Sequence, residues 1–359
     1  MSALIPYPDP IPLPAPVWLL QAFLMLTLFL HLLPMSLVLG GGTLTVISEL
    51  LARRDERHRR LAQAVARLLP ILVAFTITLG IAPLLFLQVI YGPLFFSSSI
   101  LMAWPWLSII GLMLLGYYGY YWHSFQLDRL GPRAVWVALV STVLFMIVGL
   151  IFTSNMVLML TPERWEALYR AGRSALRWNL TEPTIVPRFL HMFVASVALS
   201  GLGVALLGTV KRKADAAFGG WVRQYGLRWF VAATWVQFAV GLWFLASLPR
   251  SIRGLFIGGG GMETGLLAVA IALALVAILT IQRRLVLGTA MILGTVALMV
   301  IIRHRLRAAY LGSAFDPATL SVRPQTAMFA LFVVLLVGGI AAIAWMVWQL
   351  ARPVDPRTE

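Results

Sequence analysis

Long apolar stretches, more than any other feature, limit what this chain can become. Runs of about 18 residues or more, enough to cross a hydrocarbon core of roughly 30 Å, recur along it. They lie near 17–40, 67–90, 97–122, 134–158, 187–210, 228–248, 264–282, 285–302 and 327–350. A soluble domain cannot bury that much apolar surface. With 60% apolar residues, 11% charged and a mean hydropathy of +0.90, the composition agrees. The expectation is an all-α polytopic membrane protein with nine transmembrane helices.

The net charge of +15 does not point to nucleic acid, because the basic residues fall between the apolar spans instead of along one soluble face. The segments 52–67, 123–133, 211–228, 283–284 and the tail carry 17 of the 28 Lys and Arg residues. The contrast is sharpest at RRDERHRR (53–60) and KRK (211–213), against none in the N-terminal arm or the 91–96 turn. By the positive-inside rule the N-terminus lies outside and the C-terminus in the cytoplasm. The leader IPYPDPIPLPAPVW has no basic residue and no cleavage site follows the first span, so that span reads as a retained helix.

The expected organisation is an extended, proline-rich outer arm (1–16), a first four-helix bundle (17–158), an outer amphipathic loop (159–186), a second five-helix set (187–351) and a short tail (352–359). The first span should continue as helix to about Leu51, since no Gly or Pro follows Gly42 before the basic loop. In the outer loop, Trp165, Leu168, Tyr169 and Leu176 share a helical face interrupted by Gly172, and Thr161 before Pro162 and Glu163 is a start signal. Four glycines at 258–261 lack the Lys-Ser/Thr of a phosphate loop and read as a flexible turn. Trp104–Pro105–Trp106 reads as a proline kink inside the third span.

Without cysteine, the chain has no disulfide, thiolate metal site, iron–sulfur cluster or covalently attached c-type haem of its own. Five histidines remain. His58 and His304 sit among arginines and read as interfacial. His123 follows GYYGYYW, where an aromatic belt and a cofactor site are both open readings. His31 and His191 lie within apolar helix, and neither has an acid within four residues. An imidazole in hydrocarbon needs a partner. Either an interhelical hydrogen bond or a b-type haem, whose porphyrin fills apolar space between helices, meets that need. Met25, Met35, Met102, Met192 and Met262 are candidate further ligands, and equally ordinary packing residues. Arg188, three residues before His191, is either a partner for a haem propionate or an interfacial snorkelling arginine. The apolar cores contain no Asp or Glu, with only Arg188, Arg228 and Glu263 at their margins, which weighs against proton-driven transport.

The stretch HLLPMSLVLGGGTLTVISE, with His31, Gly40 and Glu49, resembles the first helix of the cytochrome bd quinol oxidase large subunit, where a haem-ligand histidine is followed by a glycine nine and an acid eighteen residues on. RFLHMFVASVALSGLGVALLGTVKRK is similar to that family's fifth helix, with His191 at the haem-ligand position. FTITLGIAPLLFLQVIYG and LDRLGPRAVWVALVSTVLFMIVGLI look like its second helix and its third-to-fourth connection. The resemblance covers about 17–213 and implies nine helices, one or two haems b on His31 and His191, and a quinone partner. Two carboxylates that the oxidases carry in the third helix would fall near Ser108 and Gly116 here, and both the GRQPW signature and a long quinol-binding loop are missing. The pattern looks like the shortened, oxidase-related cytochromes that work beside multihaem c-type cytochromes or iron–sulfur subunits. It implies electron transfer between quinone and such a partner without oxygen reduction. The competing reading is a haem-less membrane anchor for soluble redox subunits.

Overall fold

The structure is a computed structural model that describes residues 11–170, 178–312 and 314–351. Among the described residues it is all-helical: α1 (Val17–Leu51), α2 (Glu56–Ala66), α3 (Leu69–Met102), α4 (Trp104–Leu130), α5 (Ala134–Leu160), α6 (Trp165–Arg170), α7 (Ile185–Lys211), α8 (Ala216–Ser247), α9 (Arg250–Gly254), α10 (Gly261–Thr280), α11 (Leu285–Leu311) and α12 (Thr326–Ala351). Seven of the described helices, α1, α3, α5, α7, α8, α10 and α11, are long and apolar enough to cross a membrane. Helices α4 and α12 occupy the other two expected spans. The tryptophans and tyrosines of α4 make it less apolar, and in α12 the apolar stretch Thr326–Gly339 is shorter.

Backbone satisfaction explains the helices, because lipid offers no partner for a free N–H or C=O. Hydroxyls inside α1 follow the same rule: Thr27, Thr43 and Thr45 each donate to the carbonyl four residues back, at 2.6, 2.9 and 2.8 Å. As the sequence implies, α1 continues to Leu51.

Three boundaries differ from the sequence reading. The segment 91–96 is not a turn, since α3 runs on through it with a kink at Tyr91 (φ −118°, ψ 25°), two residues before Pro93. The chain reverses instead at Ala103, whose φ is +52°, so Trp104–Pro105–Trp106 forms the first turn of α4 and not a kink within a span. A proline is well suited there, where its missing N–H would have no helical partner.

At the basic end, 52–67 is largely the amphipathic helix α2, buried through Leu61, Ala62, Val65 and Ala66. Asp55 caps it by accepting from the Arg57 N–H at 2.9 Å. Likewise α8 starts at Ala216, well before 228, because Asp215 caps it by accepting from the Phe218 N–H at 2.9 Å.

Helix α1 is the hub, packing on α3, α5 and α7, while α4 pairs with α5, α7 with α8, and α10 with α11. Phe329 and Phe332 of α12 lie 6.4 and 5.9 Å from the ring of Phe23 on α1. At the end opposite α2, Leu13 bridges to the segment before α12, donating to the Ser321 carbonyl at 2.8 Å and accepting from the Arg323 N–H at 2.9 Å.

In the 159–186 loop, α6 places Trp165 in the core, its indole N–H donating to the Leu158 carbonyl at 2.9 Å. Leu176 and Gly172 lie outside the described residues. The 258–261 glycines form a defined turn: Gly258 takes φ +90°, its N–H donates to Thr264 Oγ1 at 3.0 Å, and the Gly260 N–H donates to the Leu255 carbonyl at 3.1 Å.

Helices α7 and α8 approach with backbone nearly in contact. A Cβ on Gly226 would lie 2.5 Å from the Gly201 carbonyl oxygen. Gly226→Val is therefore expected to lower stability by about 2–3 kcal/mol, read by thermal unfolding in detergent. Gly111→Ala, where a Cβ meets open space, should raise stability by up to about 1 kcal/mol.

The Phe218 N–H and then Arg60, 2.7 Å away, hold the Asp215 carboxyl below the usual carboxylate range. A lowered folded value gives stability that is present above the unfolded value near 3.9 and lost as pH falls through the folded one. Asp215→Ala should melt lower than wild type at neutral pH, with the difference closing as pH falls through the folded carboxyl's lowered value.

Candidate functional site

Two buried polar centres flank the middle of α1, one at His31 and one at Glu49. At the first, His31 Nδ1 lies 3.0 Å from the Thr76 carbonyl oxygen on α3. A carbonyl only accepts, so Nδ1 carries a proton, and in the neutral imidazole the lone pair is then on Nε2. One turn along α3, Gly80 lets the ring pack against the helix, since a Cβ there would lie 2.9 Å from Cε1 and Nδ1.

His191 on α7 faces Gln237 of α8, whose carboxamide nitrogen lies 3.0 Å from Nδ1 and 3.2 Å from Nε2. Gln237 Oε1 is buried with no hydrogen-bond partner. The carboxamide is nearly equidistant from both ring nitrogens and so lies over the imidazole face, which leaves the tautomer of His191 unfixed. Gly241, one turn after Gln237, lets this ring pack closely too: a Cβ would lie 3.2 Å from Cε1.

A cluster of arginines lies near both histidines. The Arg188 guanidinium lies over the rings of Phe244 and Tyr310, at 5.0 and 5.8 Å, yet its Nε and one terminal nitrogen are buried without a hydrogen-bond partner. Arg303 of α11 is within electrostatic range of both His31 and Arg188. Arg307, one turn on, is 6% exposed and lies over Tyr91 at 4.9 Å. Among the described residues none of the three forms an ion pair, although Arg305 pairs with Glu263 at 2.9 Å. The nearby acid Glu182 accepts from the Thr184 N–H at 2.8 Å. Glu182 is within electrostatic range of Arg188 but forms no ion pair with it, which leaves the two unpartnered Arg188 nitrogens open to an anionic group.

The second centre is distinct. His123 of α4 is fully buried and its Nε2 is held by the Glu49 carboxylate of α1. Eighteen residues separate His31 from Glu49, about 27 Å along a helix, so His123 is not brought to the His31–His191 region. His58 packs edge-on against Trp221 and Tyr225 at 4.9 and 5.2 Å, and Ser108 Oγ donates to the Pro105 carbonyl at 2.8 Å. Sequence reasoning overlooked Thr76, Gln237, Arg303 and Arg307. A signal for the arginines was present in RHRLR, where Arg303 and Arg307 are spaced i, i+4 on one face.

Among the described residues no three His, Asp or Glu side chains gather as a metal site. A metal at either lone imidazole needs most of its ligands from a non-protein group, which a macrocycle supplies.

No family model matches the sequence, and no curated protein matches it. Among solved structures, the fold matches a chain of the bd oxidase from Geobacillus thermodenitrificans with a TM-score of 0.68, over 95% of this chain and 100% of that one. This is a bd oxidase fold. At 12% identity the match speaks for the fold and not for the chemistry. The bd oxidase fold and seven apolar helices make the chain a multi-pass membrane protein.

The Glu49–His123 pair is a structural prediction in itself. Glu49→Gln should cost about 3–5 kcal/mol, and a Glu49→Met/His123→Phe double variant should recover most of it. Thermal unfolding of the singles and the double as a mutant cycle measures this.

Proposed function

We propose that this chain is the haem b-carrying membrane subunit of a respiratory electron-transfer complex in the bacterial inner membrane, with nine spans and the N-terminus outside. It passes electrons between the quinone pool and a partner on the outer side, a multihaem c-type cytochrome or an iron–sulfur subunit. The observation that carries the reading is His31: the Thr76 carbonyl fixes its proton on Nδ1, and Nε2 is left as the ligand atom.

His31 and His191 would hold the iron of one or two haems. Gly80 and Gly241 let the two imidazoles pack closely on the neighbouring helices, and the unpaired nitrogens of Arg188, with Arg303 and Arg307, suit the carboxylates of a haem. A bound haem supplies one-electron exchange, the step that links a two-electron quinone to a one-electron cytochrome. The protein's part is to orient the imidazoles, neutralise the carboxylates and keep water out. Ser108 and Gly116 stand where the oxidases carry acids, so α4 has no carboxylate there to move protons to oxygen.

The test is a reduced-minus-oxidised absorption spectrum of the purified full chain. The expected result is b-type bands, with His31→Ala and His191→Ala each reducing haem content while the protein stays folded. Arg188→Gln should keep the haem and lower its midpoint potential by about 50 mV, about 1 kcal/mol for a one-electron couple. A spectrum without b-type bands would leave the haem-less anchor for soluble redox subunits as the function.

A further inference from the structure

At the basic end, away from the histidines, a cavity of about 410 Å³ opens beside α8, lined by Arg212, Trp221, Arg223, Gln224, Tyr225 and Arg228 together with Gly220. It contains three guanidiniums and no carboxylate. The neighbouring arginines have acids, Arg57 with Asp55 and Arg60 with Asp215, each at 2.7 Å. Among the described residues Arg212, Arg223 and Arg228 have none. Arg223 is fixed by donating to the Gln282 carbonyl at 2.8 Å, so its charge is positioned and not free to sweep the solvent. Trp221 and Tyr225 stack at 5.3 Å and 19°, forming an amphipathic wall of the kind found at a membrane interface.

The cavity reaches from Gly220 to Arg228, about 12 Å along the α8 axis, from the helix end towards the apolar part. Beyond Arg228 the same face continues as an exposed apolar strip, Trp235 (55%), Val236 (51%), Leu242 (65%) and Trp243 (48%). A soluble anion has no use for that strip, whereas a lipid with a charged head and two acyl chains covers both parts.

We propose that this cavity binds the phosphate headgroup of an anionic phospholipid, with its acyl chains lying along the exposed strip of α8. The guanidiniums of Arg223 and Arg228 clasp the phosphate oxygens and Trp221 covers the glycerol region. The inference rests on α8 spanning the membrane and is independent of haem.

The experiment is native mass spectrometry of the full chain in detergent, titrated with phosphatidylglycerol, phosphatidylcholine and, separately, inorganic phosphate. Wild type should retain phosphatidylglycerol at least tenfold better than phosphatidylcholine. Arg223→Gln/Arg228→Gln should weaken phosphatidylglycerol binding about 30-fold, equivalent to about 1 kcal/mol per guanidinium. Arg53→Gln/Arg54→Gln, an equal charge change outside the cavity, should stay within about threefold of wild type. Should the double variant not fold, Arg228→Gln alone, an exposed side chain, should weaken binding about fivefold. Equal losses in the pocket and control variants would overturn the proposal in favour of a diffuse basic surface. Equal binding of the two lipids, or inorganic phosphate competing as well as the lipid, would overturn it as well.

Discussion

Close approach at Gly40, to the α7 backbone, and at Gly42, to side chains of α4 and α5, is the constraint on which the rest of the bundle depends. In lipid there is little hydrophobic force between helices, so association needs small residues and interhelical hydrogen bonds. The missing side chain at Gly40 admits the Ser196 backbone of α7, and Ser200 Oγ donates to the Ser36 carbonyl at 3.0 Å. Gly42 leaves room for Tyr120, whose hydroxyl lies 2.9 Å from Thr142 Oγ1. His31 and Glu49 each lie nine residues from Gly40, about 14 Å along the helix. Both polar centres therefore take their positions from one glycine-lined contact.

The two centres solve the cost of buried charge differently. Glu49 and His123 hold one another through one oxygen and Nε2, while the second Glu49 oxygen and His123 Nδ1 are buried without a partner. Arg188 and Arg307 lie over aromatic rings, and among the described residues neither they nor Arg303 form an ion pair, although Glu182 is within electrostatic range of Arg188. The Glu49–His123 contact ties α1 to α4, whereas the Arg188 guanidinium near His191 keeps two buried nitrogens without a partner. The cavity on α8 repeats the second pattern at the other end of the molecule, there with an interfacial aromatic wall.

Much of the fold was legible because the rule that makes it is local. A helix that must satisfy its own backbone in lipid announces itself as an apolar run, and the long α1 follows from the absence of a breaker after Gly42. Boundaries were less legible where polar residues sit inside helices. The basic stretch before 228 reads as a loop by hydropathy, yet Asp215 caps it as the first turns of α8, and α2 is hidden among the arginines of 53–60 for the same reason. The turn at Ala103 depends on a left-handed backbone conformation that no residue-type signal marked.

By itself, the sequence determined that the chain is helical and crosses a membrane several times, and it isolated His31 and His191 as imidazoles with no acid close along their own helices. Only the tertiary structure decided what those imidazoles meet. Thr76 and Gln237 are 45 and 46 residues from their histidines, and Arg303 is farther still. Hydropathy is a property of consecutive residues, whereas a hydrogen-bond partner across a helix interface is fixed by crossing geometry, which no single segment encodes. The same distinction separates His123 from the other two: its aromatic neighbours were visible in the sequence, but the carboxylate that holds it comes from another helix.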